Sequence, residues 1–221
     1  MKKFVLLTLA SVLALAIFSS CTINSGLNSI TGEGDMEMHT IDATDFTGIN
    51  LGGAFDVVFR QAPEFSVELE IQSNLFAHVE TEVRNNVLRI DSNRNFNTVR
   101  GNTPRLTITA PDLDSLNVRG AANADFILDA DNLSIEVTGA ANITLEGTAN
   151  RLNITSSGAA NIDAFDLIAQ NANITLNGAG NIDVYAAETL DARLNGVGRI
   201  RYDGDATVNR TVAGLGRISR R

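Results

Sequence analysis

The sequence predicts an all-β fold, a right-handed parallel β-helix (β-solenoid) with coils of about 18–20 residues and less regular strands at its N-terminal end. Three observations predict it: a short motif returning at a nearly constant interval, apolar residues alternating on both sides of it, and outward columns that repeat one polar residue type. The motif Gly120-Ala121-Ala122-Asn123-Ala124-Asp125 returns as Gly139-Ala140-Ala141-Asn142-Ile143-Thr144 and Gly158-Ala159-Ala160-Asn161-Ile162-Asp163. It continues as Gly178-Ala179-Gly180-Asn181-Ile182-Asp183, Gly196-Val197-Gly198-Arg199-Ile200-Arg201 and Gly214-Leu215-Gly216-Arg217-Ile218-Ser219. The glycines are 19, 19, 20, 18 and 18 residues apart.

The alternation decides between strand and helix. Two before each glycine stand Val118, Val137, Ser156, Leu176, Leu194 and Val212; four after stand Ala124, Ile143, Ile162, Ile182, Ile200 and Ile218. Apolar residues keep period two through the glycine, which is the strand period and not the helical 3.6. Parallel crossovers are overwhelmingly right-handed. The 18-residue repeats leave a left-handed hexapeptide helix as the alternative, although three equal six-residue sides are not visible.

Along the chain, residues 1–20 read as a secretory signal: Lys2 and Lys3, then an apolar run from Phe4 to Phe18, then Ser19 and Ser20. The run holds fifteen residues, short of the roughly 20 needed to span a bilayer. Cys21, directly after small residues, resembles the lipidated cysteine of a bacterial lipoprotein, with Phe18 where leucine is usual. Residues 21–40 have a tether composition and include Glu33, Asp35, Glu37 and His39, read as solvated. Residues 41–221 read as one solenoid domain.

Its first part alternates Ile49, Leu51, Gly53, Phe55, Val57 and Phe59, a degenerate first coil. Further strands are expected over 66–71, 79–83, 87–90 and 106–110, with a short helical turn at 74–77. In the regular repeats each glycine marks a bend where converging walls admit only a small residue. The opposite connection, as in 146–151 and 203–207, carries the length variation and is expected to be a surface loop. Three after each glycine come Asn123, Asn142, Asn161 and Asn181, then Arg199 and Arg217. This column is an amide ladder bonded along the stack, with a binding face for a sugar-like or polymeric ligand as the functional alternative.

The formal charge is −9, and the only lysines are Lys2 and Lys3. Such an acidic chain is poorly suited to sequence-independent DNA binding, so no nucleic-acid partner is expected. One cysteine allows no internal disulfide, and with two histidines it builds no zinc site without carboxylates. No metal or cofactor is expected. Residues 120–192 carry ten acids against Arg151, while 193–221 carry seven arginines against Asp203 and Asp205. A basic C-terminal coil would block strand addition at an open edge, or dock an anionic partner or a neighbouring subunit.

The glycine, small pair, Asn and Ile, following a lipoprotein leader and the stretch Gly53-Ala54-Phe55-Asp56-Val57, resemble the GIN-domain family of auto-transporter adhesin heads, many of them exported proteins of Bacteroidetes-type bacteria. The resemblance covers residues 45–221 and implies an all-β helical fold and cell-envelope placement. It brings no site residues with it.

Enzyme signatures are sparse. His78 has no nucleophile motif beside it, and Gly178 to Asp183 lacks the period and glycine pairs of a calcium-binding nonapeptide turn. Asp125, Asp163 and Asp183 share the column five after the glycine, and neighbouring coils would bring Asp163 and Asp183 to a separation of about 5 Å, within the range of a glycosidase pair. Any solenoid column does the same. The sequence thus reads as a non-enzymatic, lipid-anchored envelope lipoprotein, placed in the outer membrane, that binds a glycan or protein ligand. The alternatives are an assembly subunit stacking end to end as a homo-oligomer and, more distantly, a carbohydrate-active enzyme.

Overall fold

A computed structural model describes residues 29–98 and 102–221; the leader and Cys21 lie outside the described residues. The regular part is four long strands, β11 (Ala121–Val137), β12 (Ala140–Ser156), β13 (Ala159–Leu176) and β14 (Ala179–Leu194). Each runs from one glycine bend to the next and pairs in parallel with the coil above it. Identical positions face each other: Asn123 opposite Asn142, Asn142 opposite Asn161, Asn161 opposite Asn181. The stack ends in β15 (Val197–Asp203), β16 (Thr207–Val212) and β17 (Leu215–Arg220), with β16 on the pre-bend half of β14 and β17 on β15.

The period-two residues form the core. Ile135, Val137, Ile143, Leu145, Leu152, Ile154, Ile162 and Ile174 are buried, and their sequence neighbours face outward. This is the burial that alternating strands dictate when two walls enclose one interior.

Two sequence expectations about the coils need correction. The connection between repeats is not a loop in the regular coils: Glu146 to Arg151 stay extended and pair with the next coil, Thr148 opposite Ile168 and Arg151 opposite Asn171. Length differences are absorbed there as register shifts, between Thr144 and Glu146 and between Ala164 and Ile168. An extra residue in a paired strand bulges out, locally unpaired, while the ladder closes on either side of it. Only in the last full coil does the chain leave the sheet, between β15 and β16.

The second correction concerns the glycines. Gly139 and Gly158 keep the inward phase, but converging walls are not what demands glycine. A Cβ on Gly158 would overlap the carbonyl oxygen of Gly139 in the coil beneath, and a Cβ on Gly139 would overlap that of Gly120. The bends are drawn this close by their hydrogen bonds. Thr138 N and Gly139 N both donate to Val118 O at 2.9 and 3.1 Å, and Ala140 N donates to Gly120 O at 2.9 Å. The same three bonds recur at Ser157–Ala159, Asn177–Ala179, Asn195–Val197 and Ala213–Leu215.

The N-terminal part supplies one more coil. β3 (Gly48–Leu51) and β4 (Ala54–Gln61) flank Gly53 and pair in parallel with β10 (Ser115–Val118) and with β11. Between β4 and β10 the chain makes an excursion through β5 (Ser66–Gln72), α1 (Ser73–Phe76), β6 (Val79–Arg84), β7 (Val87–Ser92), β8 (Asn95–Asn97) and β9 (Arg105–Ala110). Its strands extend both walls downward: β7 and then antiparallel β6 beneath β3, β9 and then antiparallel β5 beneath β4.

Part of the segment expected to be a tether is folded. β1 (Ser29–Thr31) pairs with β8, and β2 (Met36–Thr40) runs antiparallel to β5 as an edge strand. His39, read as solvated, is half-buried and stacks on Phe76 at 3.7 Å between ring centroids. Without β2, the outer edge of β5 would expose unpaired backbone groups, which explains why a polar segment folds here.

Candidate binding face

The asparagine column is a continuous amide ladder. Asn142 Nδ2 donates to Asn123 Oδ1 at 2.9 Å, Asn161 to Asn142 at 3.2 Å, and Asn181 to Asn161 at 3.0 Å. Its foot is a residue that the sequence reading passed over: Asn123 Nδ2 donates to Asp56 Oδ1 at 2.8 Å. The signal was present, since Asp56 stands three after Gly53 as each asparagine stands three after its own glycine. Other outward columns bond along the stack too, through Asn195 to Asn177, Thr148 to Asp129 and Asn209 to Asp191. Ladder formation is thus a general device of this stack.

What sets the Asn123 column apart is the relief beside it. On one side lies an open groove of about 510 Å3, floored by Ala121, Ala140, Ala159 and Ala179 and reaching Thr103 and Asp56. On the other lies a groove of about 330 Å3, bounded by Thr144, Asp163 and Asp183 and ending at Arg199. The ladder is a ridge between an apolar and a polar furrow. Asn123, Asn142 and Asn161 each spend one N–H and one lone pair on their neighbours and keep the other of each for solvent or a ligand, while Asn181 spends only an N–H.

Arg199 and Arg217 continue the column in register, Asn181 opposite Arg199 and Arg199 opposite Arg217. They do not continue its bonding. Among the described residues neither side chain makes a hydrogen bond or ion pair, and the Nε of Arg199 is shielded from solvent without a partner. Nearby arginines are engaged: Arg201 with Asp183, Arg220 with Asp205 at 3.1 Å, and Arg210 with Ile218 O at 3.1 Å.

The aspartate column is occupied otherwise than a glycosidase pair requires. Asp163 and Asp183 do face each other in neighbouring coils. Asp183 is buried, however, and both its oxygens accept from the Arg201 guanidinium, whose pKa is raised chiefly by that hydrogen bond. Asp163 Oδ1 accepts from Phe165 N at 3.2 Å. With both oxygens taken up by the guanidinium fork, Asp183 has none free to face a substrate. Arg201 and Arg221 also lie over the Phe165 ring, at 5.3 and 4.7 Å from its centroid.

The other candidates find ordinary places. His78 Nδ1 lies 3.1 Å from Asn93 Oδ1. Among the described residues, no group of three or more His, Cys, Asp or Glu side chains could hold a metal ion, and no helix is long and apolar enough to cross a membrane.

Residues 45–206 match the family described as "Putative auto-transporter adhesin, head GIN domain". Among solved structures, the chain is similar to one described as a "putative adhesin" from Bacteroides fragilis, at 24% identity and a TM-score of 0.71, covering 86% of this chain and 99% of that one. It is also similar to a "putative adhesin" from Parabacteroides distasonis, at 21% identity and a TM-score of 0.53, covering 87% and 100%. A "Putative lipid binding protein" from the same species aligns at 24% identity and a TM-score of 0.50, covering 87% and 99%. At such identities these likenesses establish the shared fold. Among curated proteins none matches the chain.

Proposed function

The chain belongs to the GIN-domain family of auto-transporter adhesin heads, and from that premise we propose that it is a non-enzymatic binding module of the cell envelope, exported and held in the outer membrane by a lipid on Cys21. The apolar leader ending in small residues before Cys21 supports the anchor. In this reading Cys21→Ala releases the protein into the soluble fraction; retention in membranes would end the lipid-anchor proposal.

One observation carries the binding role: the ladder ridge with furrows on both sides, presenting like groups coil after coil. The coils repeat at about 4.8 Å, and a surface of that kind suits a repetitive, hydroxyl-rich polymer better than a compact small molecule. The test is binding of residues 22–221 to an array of envelope glycans and matrix proteins, at low and physiological salt. A hit lost in Asn142→Ala/Asn161→Ala, with melting still cooperative, is the expected result. Silence across the array would refute the recognition face.

A second reading, end-to-end assembly, is favoured by the uncapped C-terminal coil, where Val197 and Leu215 are 55% and 76% exposed above a column of alanines. Acidic Glu33, Asp35 and Glu37 in and before β2 give the other end the opposite sign. Self-association that dissolves in salt and is lost in Leu215→Asp would favour it.

A further inference from the structure

We propose that Arg199 and Arg217 form an anion clamp at the end of the ladder, receiving the acidic group of a hydroxyl-rich glycan whose neutral part lies along Asn142, Asn161 and Asn181. The inference rests on the ladder being the recognition face and adds the ligand's charge and polarity to it.

Two guanidinium-bearing side chains stand directly opposite each other in adjacent coils, about 4.8 Å apart, where like charges repel. Many polar side chains of the stack bond along their columns, Asn195 to Asn177 and Asn209 to Asp191 among them, and acids are abundant in the chain. This pair nevertheless has neither counter-ion nor acceptor among the described residues. Arg199 has already lost part of its hydration, because its Nε is sealed from solvent. A carboxylate or phosphate oxygen bridging the two side chains would relieve both deficits, and charge-assisted bonds to such groups are the strong ones.

The surroundings dictate the rest of the ligand. The polar furrow that ends at Arg199 is bounded by Thr144 and by asparagine amides, which are partners for hydroxyl groups. It also contains Asp163, and Asp183 beyond it is neutralised by Arg201. A uniformly charged polyanion would meet Asp163 and the acidic coils below. The occupant is therefore an acidic sugar at a chain end, or acidic sugars sparsely placed along a neutral chain. Arg221, stacked on Phe165, adds positive potential on the same side.

The experiment uses the exported chain and four probes: a labelled tetrasaccharide ending in one glucuronate, its neutral glucose counterpart, inorganic phosphate as competitor, and phosphatidylglycerol vesicles. The expected result is at least tenfold tighter binding of the glucuronate probe than of the neutral one. That preference disappears in Arg199→Gln/Arg217→Gln and falls at least threefold in Arg217→Gln alone, an exposed site that does not endanger folding. Arg199→Lys/Arg217→Lys keeps the charge and loses the fork, so it should lie between. Phosphate competes with the acidic increment if the clamp accepts any such oxyanion; failure to compete at all would overturn the bridging geometry. Equal binding of both sugars overturns the clamp and leaves the ladder reading standing. Binding of neither removes both. Vesicle binding or self-association lost in the arginine variants, without sugar binding, assigns the arginines to a membrane or a second copy and overturns the proposal.

Discussion

The two ends of the stack solve the same problem in opposite ways. At the N-terminal end the chain doubles back, placing antiparallel β5 and β6 outside the parallel walls and adding β2 as a further edge. The interior there is aromatic: Phe46, Phe55, Phe59 and Phe126 are fully buried, and the Phe59 and Phe126 rings stack at 5.5 Å. At the C-terminal end the inward positions run out of apolar residues. Arg210 and Arg220 stand where the coils below carry core residues, Val212 is 46% exposed, and in the last turns only Ile200 and Ile218 remain buried. One end is closed by extra strands; the other is left open and charged. Coils stabilised by their nearest neighbours should accordingly be firm in the middle and fray at the open end.

The largest test of that contrast is core truncation. Phe59→Ala should cost about 3–5 kcal/mol in denaturant unfolding, as buried aromatic deletions do. Ile218→Ala should cost about 1 kcal/mol, less than the usual core isoleucine because its coil has a neighbour on one side only. Equal losses would mean that the last coil is as tightly coupled as the first.

Next comes the bend column. A side chain at Gly158 must displace the Gly139 carbonyl, and one at Gly214 must displace that of Gly196. Gly158→Val has coils on both sides and should lose about 3 kcal/mol with cooperative unfolding. Gly214→Val should leave the global melt nearly unchanged and raise amide exchange only over 207–221. A global loss from Gly214→Val would break the comparison.

A gain is expected at Ser156. Its hydroxyl is buried without a partner in a column otherwise made of Val and Leu, so Ser156→Ala should raise stability by about 1 kcal/mol. Unchanged or lower stability would show that the hydroxyl is satisfied.

The smallest effect is a pH dependence confined to the N-terminal part. Burial tends to raise the Asp91 pKa, but the hydrogen bonds from Arg89 and Ser92 N and the charge of Arg119 outweigh it, and the group titrates below its ordinary range. Its stabilisation is present above the unfolded carboxylate value and is lost as pH falls through the lower folded one. Asp91→Asn should therefore lower the melting temperature at neutral pH and converge with the parent in strong acid. A gap that persists in acid would assign the loss to packing.

Much of the fold was legible because a repeat tests itself. A glycine every 18 to 20 residues with alternation on both sides leaves few alternatives to stacked coils, and the ladder then follows from placing like positions opposite each other. The inter-repeat corner misled because length variation ordinarily signals a loop, whereas a paired strand hides an extra residue in a bulge. The cap misled because its polar sequence resembles a tether, and only the unpaired edge of β5 gives it a reason to fold.

By itself the sequence determined the period, the strand alternation, the places of the bends and the asparagine column, since coil-to-coil contacts are one translation repeated and every repeat encodes the same one. Only the tertiary structure decided the contacts that no translation relates. It lays β2 on β5 and β5 on β9, both antiparallel, and stacks His39 on Phe76. Those depend on which unlike segments end up side by side, and only the closing of the whole chain brings them there.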